Sequence, residues 1–528
     1  MVIKGIAVRR SLAGIAAMAV GIAAGAGWAD EVTLKSSDGT VDIVGDFVAF
    51  ENNMYVIRTG LGDLRISAER VRCEGEDCPE LDVTEADVTF AGSDTIGLGM
   101  MPLLLEGYGG FRDADVTVTS ASEGELLANL VGEQGFGDPI GDFLVSSSGS
   151  GDAFTALADG TADIGMSSRR IRPDEARSLR DAGAGNMIAP TQEHIIAVDS
   201  LIVIVHPNNP IESLSVEQLA DIYSGAITNW SELGGEDAPI NVVGRAEDSG
   251  TRDVFEQVVF DGADVPLPDS AQVEPDNVAV SAAVNDDPTA IGFVSYAFQR
   301  GAKPLPIVNE CGIVMEPNAF SARTEEYALE RRLYMYNRED LSDDARAFLE
   351  FVGSEEADGV IAKAGFIDLG IAQRPQPVES ARGQMLLNSD ADPYEGGFMR
   401  EMLSEMVDYD RLSTTFRFRT GSANLDERGE LNMTRLVADL EGRPEGTRVL
   451  FVGFTDEVGA FDPNLGLSRE RAAQVLRETD AFAGDRLGGI EMAATGYGEI
   501  APSACNASEE GRQINRRVEV WIQEPEDA

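Results

Sequence analysis

From residue 30 onward the hydrophobic rhythm of the chain changes three times, and each change marks a different kind of structure. Between residues 30 and 87, short apolar runs (Val32 to Leu34, Val41 to Val44, Phe47 to Phe50, Tyr55 to Ile57, Leu64 to Ile66) are separated by Ser-Asp-Gly, Glu-Asn-Asn and Gly-Leu-Gly turns. Runs of that length between turn residues predict a small antiparallel β module. From 88 to 370, strand-like apolar runs alternate with helical patterns, which predicts an α/β arrangement long enough for two lobes and a cleft. Gln373-Arg374-Pro375-Gln376-Pro377 then opens a segment, 371–410, that reads as a linker. It carries a helix-like stretch from Gly397 to Val407, where the spacing of Met399, Met402 and Met406 marks a packing face. The last segment, 411–524, alternates at Thr415 to Arg419, turns helical from Glu430 to Leu440 and returns to a strand at Val449 to Val452, an α+β pattern.

The first 29 residues differ from all of this. Lys4, Arg9 and Arg10 precede an Ala- and Gly-rich apolar run from Leu12 to Gly27, and Trp28-Ala29 precede Asp30-Glu31. The run is too short for a bilayer and is followed at once by acid, so 1–29 reads as a secretory signal peptide and the protein as exported. The cysteines fit that compartment. Cys73 and Cys78 close a tight loop and are expected to form a disulfide, whereas Cys311 and Cys505 are expected to be buried and unpaired.

Charge removes one class of partner. The chain has 92 acidic and 41 basic residues, a net charge of −51, with lysine only at Lys4, Lys35, Lys303 and Lys363. Such a surface repels polyanions, so nucleic acid is excluded. An anion bound here has to be held by local dipoles and hydrogen bonds against the field of the whole molecule.

One run is built for that. In Arg245-Ala-Glu-Asp-Ser-Gly-Thr-Arg-Asp253, Ser249-Gly250-Thr251 opens an amphipathic helix (Val254, Phe255, Val258, Val259). Unpaired amides and two hydroxyls at a helix start favour negative charge, and Arg245 can add a forked pair of charge-assisted bonds. The same residues also suit a plain helix cap with Arg245 in a structural salt bridge. Three further strand ends present hydroxyls and amides: Ser93-Asp94-Thr95-Ile96-Gly97 before the helical run Leu98 to Tyr108, Ser146 to Gly151 before Ala153 to Ala158, and Ala162 to Arg170. Each alone is a turn or cap; four in one α/β unit point to a shared anion cleft.

No His, Cys and carboxylate cluster has metal spacing, and no cofactor is expected. The chain has only His194 and His206, the latter ending an apolar strand, and Ser249 has no histidine or lysine partner evident in sequence, so the chain reads as a binding protein and not an enzyme.

Ser150 within Gly-Ser-Gly, the Ala-Asp-Ile-Gly-Met-Ser-Ser run, Ile222-Tyr-Ser-Gly225 with Asn229-Trp230, Arg245 with Ser249-Gly250-Thr251, and Ile291-Gly-Phe-Val294 together resemble the phosphate-binding proteins of bacterial ABC importers. The resemblance covers about residues 88–370 and implies the two-lobed α/β periplasmic-binding-protein fold, closing on phosphate. It carries the family's phosphate contacts to Asp94, Thr95, Ser150, Ser168, Arg245, Ser249, Gly250 and Thr251. Some members have an acceptor aspartate where Ser168 stands and a hydroxyl where Asp94 stands. Glu247 matches a carboxylate position that accepts the proton of hydrogen phosphate and so rejects sulfate.

Gly453-Phe-Thr-Asp-Glu-Val-Gly459, Asn464 to Val475 with Arg469 and Arg471, and Asn515-Arg-Arg-Val-Glu-Val-Trp521 resemble the OmpA-like peptidoglycan-binding domain. The resemblance spans nearly all of 411–524. It implies that Asp456 and Arg471 clasp the zwitterionic diaminopimelate of the peptide stem, framed by Asn464 and the Thr455 backbone. Phe454 stands where the family commonly has histidine, and Arg516 and Arg517 are expected to support the fold. Taken together, the chain reads as an exported phosphate-type oxyanion receptor tethered to peptidoglycan in the periplasm, at the inner face of the outer membrane. Transport would add an inner-membrane ABC importer as partner. The alternative is a wall-anchored structural or sensor protein whose cleft binds another ligand or serves no transport.

Overall fold

The computed structural model describes residues 31–36, 42–51, 54–60, 62–67, 71–75, 78, 86–122, 124–135, 137–247, 249–263, 265–388, 392–418 and 427–525. The segment read as an export signal, 1–29, lies outside them. No helix among the described residues is long and apolar enough to cross a membrane. The chain divides into two compact units, one ending at residue 79 and one beginning at 80.

The first unit is an antiparallel sheet of β1 (Glu31–Ser36), β2 (Asp42–Glu51), β3 (Met54–Thr59), β4 (Gly62–Ser67) and β5 (Val71–Glu74), in the order β4-β3-β2-β1-β5. Val32, Leu34, Tyr55, Ile57 and Val71 form its core. The two apolar runs around Val44 and Phe47 belong to one strand, β2, whose register with β3 shifts between Phe47 and Ala49. A bulge there turns the strand without ending it, so an interruption in the sequence pattern does not become a turn. Cys73 and Cys78 are bonded to each other.

The second unit begins with β6 (Val88–Ser93), β7 (Ala114–Ser122), β8 (Glu125–Val131), β9 (Pro139–Ser148), β10 (Ile164–Ser167) and β11 (Glu193–Val205). It continues through β12 (Leu214–Ser215), β13 (Asn241–Arg245), β14 (Gln272–Glu274), β15 (Ala290–Ser295) and β16 (Lys303–Leu305). Then follow β17 (Ile307–Val308), β18 (Val314–Met315) and β19 (Glu330–Asn337). One long sheet runs β14-β13-β15-β11-β19-β10-β6-β9-β8-β7, with β16 beside β11. The chain passes between two lobes twice, along β11 and back at the start of β19. The first half of β11 pairs with β19, and its second half, Leu201 to Val205, pairs with β15.

That second half is apolar throughout because both its faces are covered. Ile202 and Ile204 enter one core with Val243, Val280 and Val294, while Leu201, Val203 and Val205 enter another with Tyr223, Phe255 and Phe293. Burial on both faces replaces the alternation of a half-solvated strand by a continuous run. In the other lobe, β6 and β9 pack against the helices Met101–Phe111 and Asp343–Val352 through Phe90, Phe143, Tyr108 and Phe348. The helix expected from Leu98 starts at Met101, after a short Asp94–Gly97 turn of helix.

The C-terminal region carries β20 (Gln373–Arg374), β21 (Asp410–Arg417), β22 (Arg448–Gly453), β23 (Glu491–Gly496) and β24 (Arg517–Gln523), in the order β20-β21-β24-β22-β23. One face packs on the helices Glu427–Glu441 and Phe461–Ala483 through Leu436, Val437, Ala472 and Val475. The other packs on the helix Glu395–Asp408, whose Met399, Met402 and Met406 meet Leu450, Val452, Phe454 and Trp521. The segment 371–410 is therefore a third layer of this region and not a linker. Its Pro-rich start pairs as β20 with β21, an edge position that tolerates proline next to the strand.

The two regions of this unit are joined side to side. Cys311 and Cys505 form a disulfide, against the expectation of two buried thiols; Cys505 is buried and Cys311 is exposed. The tight turn Thr324–Glu326, with Glu325 at φ 57°, projects two carboxylates into the junction. Glu325 accepts from Arg417 at 2.6 Å and from Arg332, and Glu326 accepts from Arg411 at 2.8 and 3.1 Å and from Ser503 at 2.7 Å. Arg435 of the C-terminal region also pairs with Asp358 on the helix Glu355–Lys363. A buried charge is tolerated only when its partners are fixed, so these pairs define one arrangement of the two regions.

Candidate functional site

Four strand ends converge where the lobes face each other. The carboxyl ends of β6, β9, β10 and β13 bring in Asp94 and Thr95, Ser150, Ser168, and Arg245 with Ser249, Gly250 and Thr251. In open α/β sheets the crevice beyond such strand ends collects helix N-termini and is where ligands sit. All eight residues are buried. The Ser150 and Ser168 hydroxyls are 3.0 Å apart, and the Thr95 and Thr251 hydroxyls are 3.4 Å apart across the cleft. Gly250 opens the helix Gly250–Val259, and a Cβ there would collide with the Ser150 and Ser168 hydroxyls. Only a glycine lets this helix start approach the opposite lobe so closely.

Arg245 is 2% exposed. Its Nη2 donates to Asp94 Oδ2 at 3.1 Å and to the Pro275 carbonyl at 2.9 Å, while Nε and Nη1 have no partner. Ser249 caps its helix by accepting from the Arg252 amide at 3.4 Å. Both elements of the plain structural reading are therefore present, a cap and a salt bridge, yet they leave half of a buried guanidinium unsatisfied. Buried donors are normally paired, and an exception needs a cause. An anion in the cleft supplies one.

Three residues that sequence reasoning missed complete the cluster. Arg331, at the start of β19, donates from Nε to Asp199 Oδ2 at 2.8 Å and from Nη1 to Thr251 Oγ1 at 3.0 Å. Asp199, on β11, is fully buried and also accepts from Ser295 Oγ at 2.9 Å. Asn277 donates to Thr95 Oγ1 at 3.1 Å and to Asp94 Oδ2 at 3.4 Å. Burial pushes the Asp94 carboxyl above its ordinary range, although Arg245 and Arg331 both oppose that rise. Further out, Asp253 on the second lobe's helix pairs with Arg172 at 2.7 Å and Arg169 at 3.0 Å on the first lobe, so charge bridges the cleft mouth.

Glu247 does not join this cluster. It is exposed, and the carboxylate on Arg245 is Asp94 instead. The turn after β13 directs Glu247 to solvent, which removes it as a buried proton acceptor. His206 accepts from the Asn208 amide just past β11, and His194 pairs with Asn337 at 2.7 Å with its pKa lowered by burial; neither borders the cleft residues.

A second cluster lies in the C-terminal region, in the loop between β22 and the helix Phe461–Ala483. The Thr455 amide donates to the Gly498 carbonyl at 2.9 Å, and Asn464 Nδ2 donates to the Asp456 and Val458 carbonyls at 3.3 and 3.4 Å, which fixes the loop. Arg471 is 1% exposed, lies 5.3 Å from the Phe418 ring centroid, and has Nε and Nη1 unpartnered. Burial lowers its pKa, against the attraction of Asp456. Asp456 Oδ2 accepts from Arg516 Nη1 at 2.8 Å, so Arg516, expected only to support the fold, contacts the loop carboxylate directly. Arg517 is fully buried with its guanidinium 4.3 Å from the Phe454 ring centroid, and Phe454 itself is a core residue.

A family model described as the PBP superfamily domain matches residues 82–356. The phosphate-binding protein PstS of Bacillus subtilis is 28% identical over 231 residues, which cover 44% of this chain and 72% of that protein. Protein SphX of Synechocystis is 28% identical over 291 residues, covering 52% and 85%. Among solved structures, an ABC-type phosphate transport receptor from Vibrio cholerae is similar at 27% identity and a TM-score of 0.39, covering 53% of this chain and 99% of that one.

Proposed function

The chain belongs to the PBP superfamily through residues 82–356, and from that premise we propose that it is an exported solute-binding protein. It holds phosphate, or a closely related oxyanion, between its lobes. The observation that carries this reading is the half-satisfied Arg245 guanidinium, fully buried among hydroxyls and a helix N-terminus. That set of donors suits a small tetrahedral anion, which has no other way to bind a surface so rich in carboxylates. The name of the Bacillus subtilis relative, phosphate-binding protein, agrees with it. Asp94, Thr95, Ser150, Ser168, Arg245, Ser249, Gly250, Thr251 and the newly identified Arg331 and Asn277 are its ligand set. Asp94 takes the acceptor role that the sequence pattern suggested for Glu247.

The C-terminal region tethers the protein to peptidoglycan. Arg471, buried with two free donor groups beside Asp456, takes a carboxylate, and Asp456, shared with Arg516, takes an ammonium, which together match the two ends of diaminopimelate. The packing of Gln373–Arg374, Leu386 and the helix Glu395–Asp408 into that region favours capture of anion at the wall over shuttling to an importer, because these described parts of the segment do not form a solvated spacer.

Calorimetric titration of the full-length protein with phosphate, sulfate and arsenate, at low and high salt, tests the first claim. Micromolar or tighter phosphate binding with sulfate excluded supports it, and silence toward all three rejects it. For the second claim, Asp456→Ala is expected to lose most co-sedimentation with purified sacculi while phosphate affinity stays within twofold. Equal retention of the variant and the parent would remove the tether.

A further inference from the structure

At the junction of the lobed and C-terminal regions lies a cavity of about 530 Å³, bounded by the Cys311–Met315 loop, the 374–382 segment, and Met385, Met406 and Pro502. Its size is that of a small-molecule site, far more than an inorganic oxyanion needs, and junctions between regions are where such sites occur. The chemistry of its wall sets it apart from the rest of this acidic protein. Arg374, Arg382 and Arg411 line it, with Arg517 behind them, and Arg382, Arg411 and Arg517 share two buried carboxylates, Glu326 and Glu519.

Those two carboxylates are already fully used. Glu519 accepts from Arg382 at 2.9 Å, from Arg517 at 2.8 Å and from the Trp521 indole at 2.8 Å. Glu326 accepts from Arg411 and Ser503. Burial raises Glu519, but Arg382, Arg411 and Arg517 outweigh it and bring its pKa down to about 2, so the pair stays charged. The cation left over is Arg374. Among the described residues it makes no hydrogen bond or ion pair; its guanidinium sits 4.0 Å from the Phe320 ring centroid. Stacking satisfies the face of a guanidinium and leaves its donor edge free. Arg374 is an exposed residue of the lining; partial burial of its side chain, followed by repulsion from Arg411, lowers its pKa in spite of Glu326 and Glu519. Glu316, exposed, is the other carboxylate of the lining. Two more unmet groups lie in the lining residues: Nη2 of Arg382, and Oε1 of Gln376, whose residue is 8% exposed. Val314, Met385 and Pro502 supply apolar surface alongside.

We propose that this cavity is a second binding site, for an organic anion whose carboxylate or phosphoryl head pairs with Arg374 and Arg382 and whose apolar body lies against Val314, Met385 and Pro502. The Gln376 acceptor suits a ligand with a hydroxyl, amide or amine hydrogen near that head. Because the walls come from both regions, occupancy also bridges them.

Octanoate, octyl phosphate and octylammonium, titrated into the full-length protein by calorimetry, separate head charge from simple partition of an apolar tail. At least one of the two anions is expected to bind saturably, one per chain, and octylammonium not at all. Arg374→Gln should weaken the anion at least tenfold, and Val314→Trp, which fills the cavity from a half-exposed position without touching any charge, should do the same. Arg245→Ala should leave it bound. The site is refuted if neither anion saturates, if octylammonium binds as well as they do, if both cavity variants bind normally, or if Arg245→Ala abolishes binding and so moves the ligand to the cleft between the lobes.

Discussion

Arg245→Ala is expected to weaken phosphate binding about a hundredfold or more. Each hydrogen bond from a charged group contributes about 1.5–3 kcal/mol, and the two unpartnered nitrogens of this side chain offer at least two, which at 1.4 kcal/mol per decade gives that factor. A second effect adds to the first. Asp94 would lose its 3.1 Å ion pair while remaining almost fully buried, and an uncompensated carboxylate facing the anion repels it. Arg245→Lys separates the two contributions, since lysine restores charge beside Asp94 but not the fork. It should recover part of the loss and not all of it. Calorimetry on the three proteins, with thermal melts to show that each is folded, gives the answer. If Arg245→Ala binds phosphate like the parent, the cleft does not hold it.

Asp94→Asn is expected to admit sulfate. On the proposed reading, an ionised Asp94 in the parent accepts the remaining proton of hydrogen phosphate. Sulfate has no such proton, and two bare anionic oxygens in a dry site cost several kcal/mol, roughly two or more orders of magnitude in affinity. An amide cannot exert that repulsion, because it can turn its N–H toward the sulfate oxygen. The pH dependence has a definite sign. Burial raises the pKa of Asp94, so protonated carboxyl persists to higher pH than for a free aspartate. As pH falls through that raised range the parent should begin to accept sulfate, with Asp94 now the donor. As pH rises above it, exclusion should become complete. In Asp94→Asn sulfate affinity should be flat across the same range. Competition titrations with phosphate and sulfate at several pH values measure both behaviours, and a parent whose selectivity ignores pH would put the discriminating group elsewhere.

Much of this arrangement was legible in the residues, and the parts that were not share a physical cause. The apolar strand that His206 ends is legible as a strand, and the Arg245 and Ser249-Gly250-Thr251 run reads as a helix start with donors. Local chemistry shows in local sequence. Asp199 and Arg331 were missed because their pairing joins residues 132 apart, and neither stands in a turn. The available signal was a charge inside an apolar strand, which has to find a partner. Glu247 was misplaced because, two positions after Arg245, a side chain can face the cleft or the solvent, and only the turn decides. Gln373 to Pro377 read as a linker from composition, yet two residues pairing at a sheet edge leave almost no trace in sequence. The Cys311–Cys505 bond spans 194 residues, and spacing alone carries no information over such a distance.

That bond and the Thr324–Glu326 turn also decide how a pull would travel through the molecule. Tension applied at the C-terminal region enters the lobes through Cys311, through the Arg411 and Arg417 pairs just ahead of β19, and through Arg435 on Asp358. Covalent and ionic paths run in parallel there. With the proposed tether in place, a pull from the wall is shared by covalent and ionic links before it reaches the lobes.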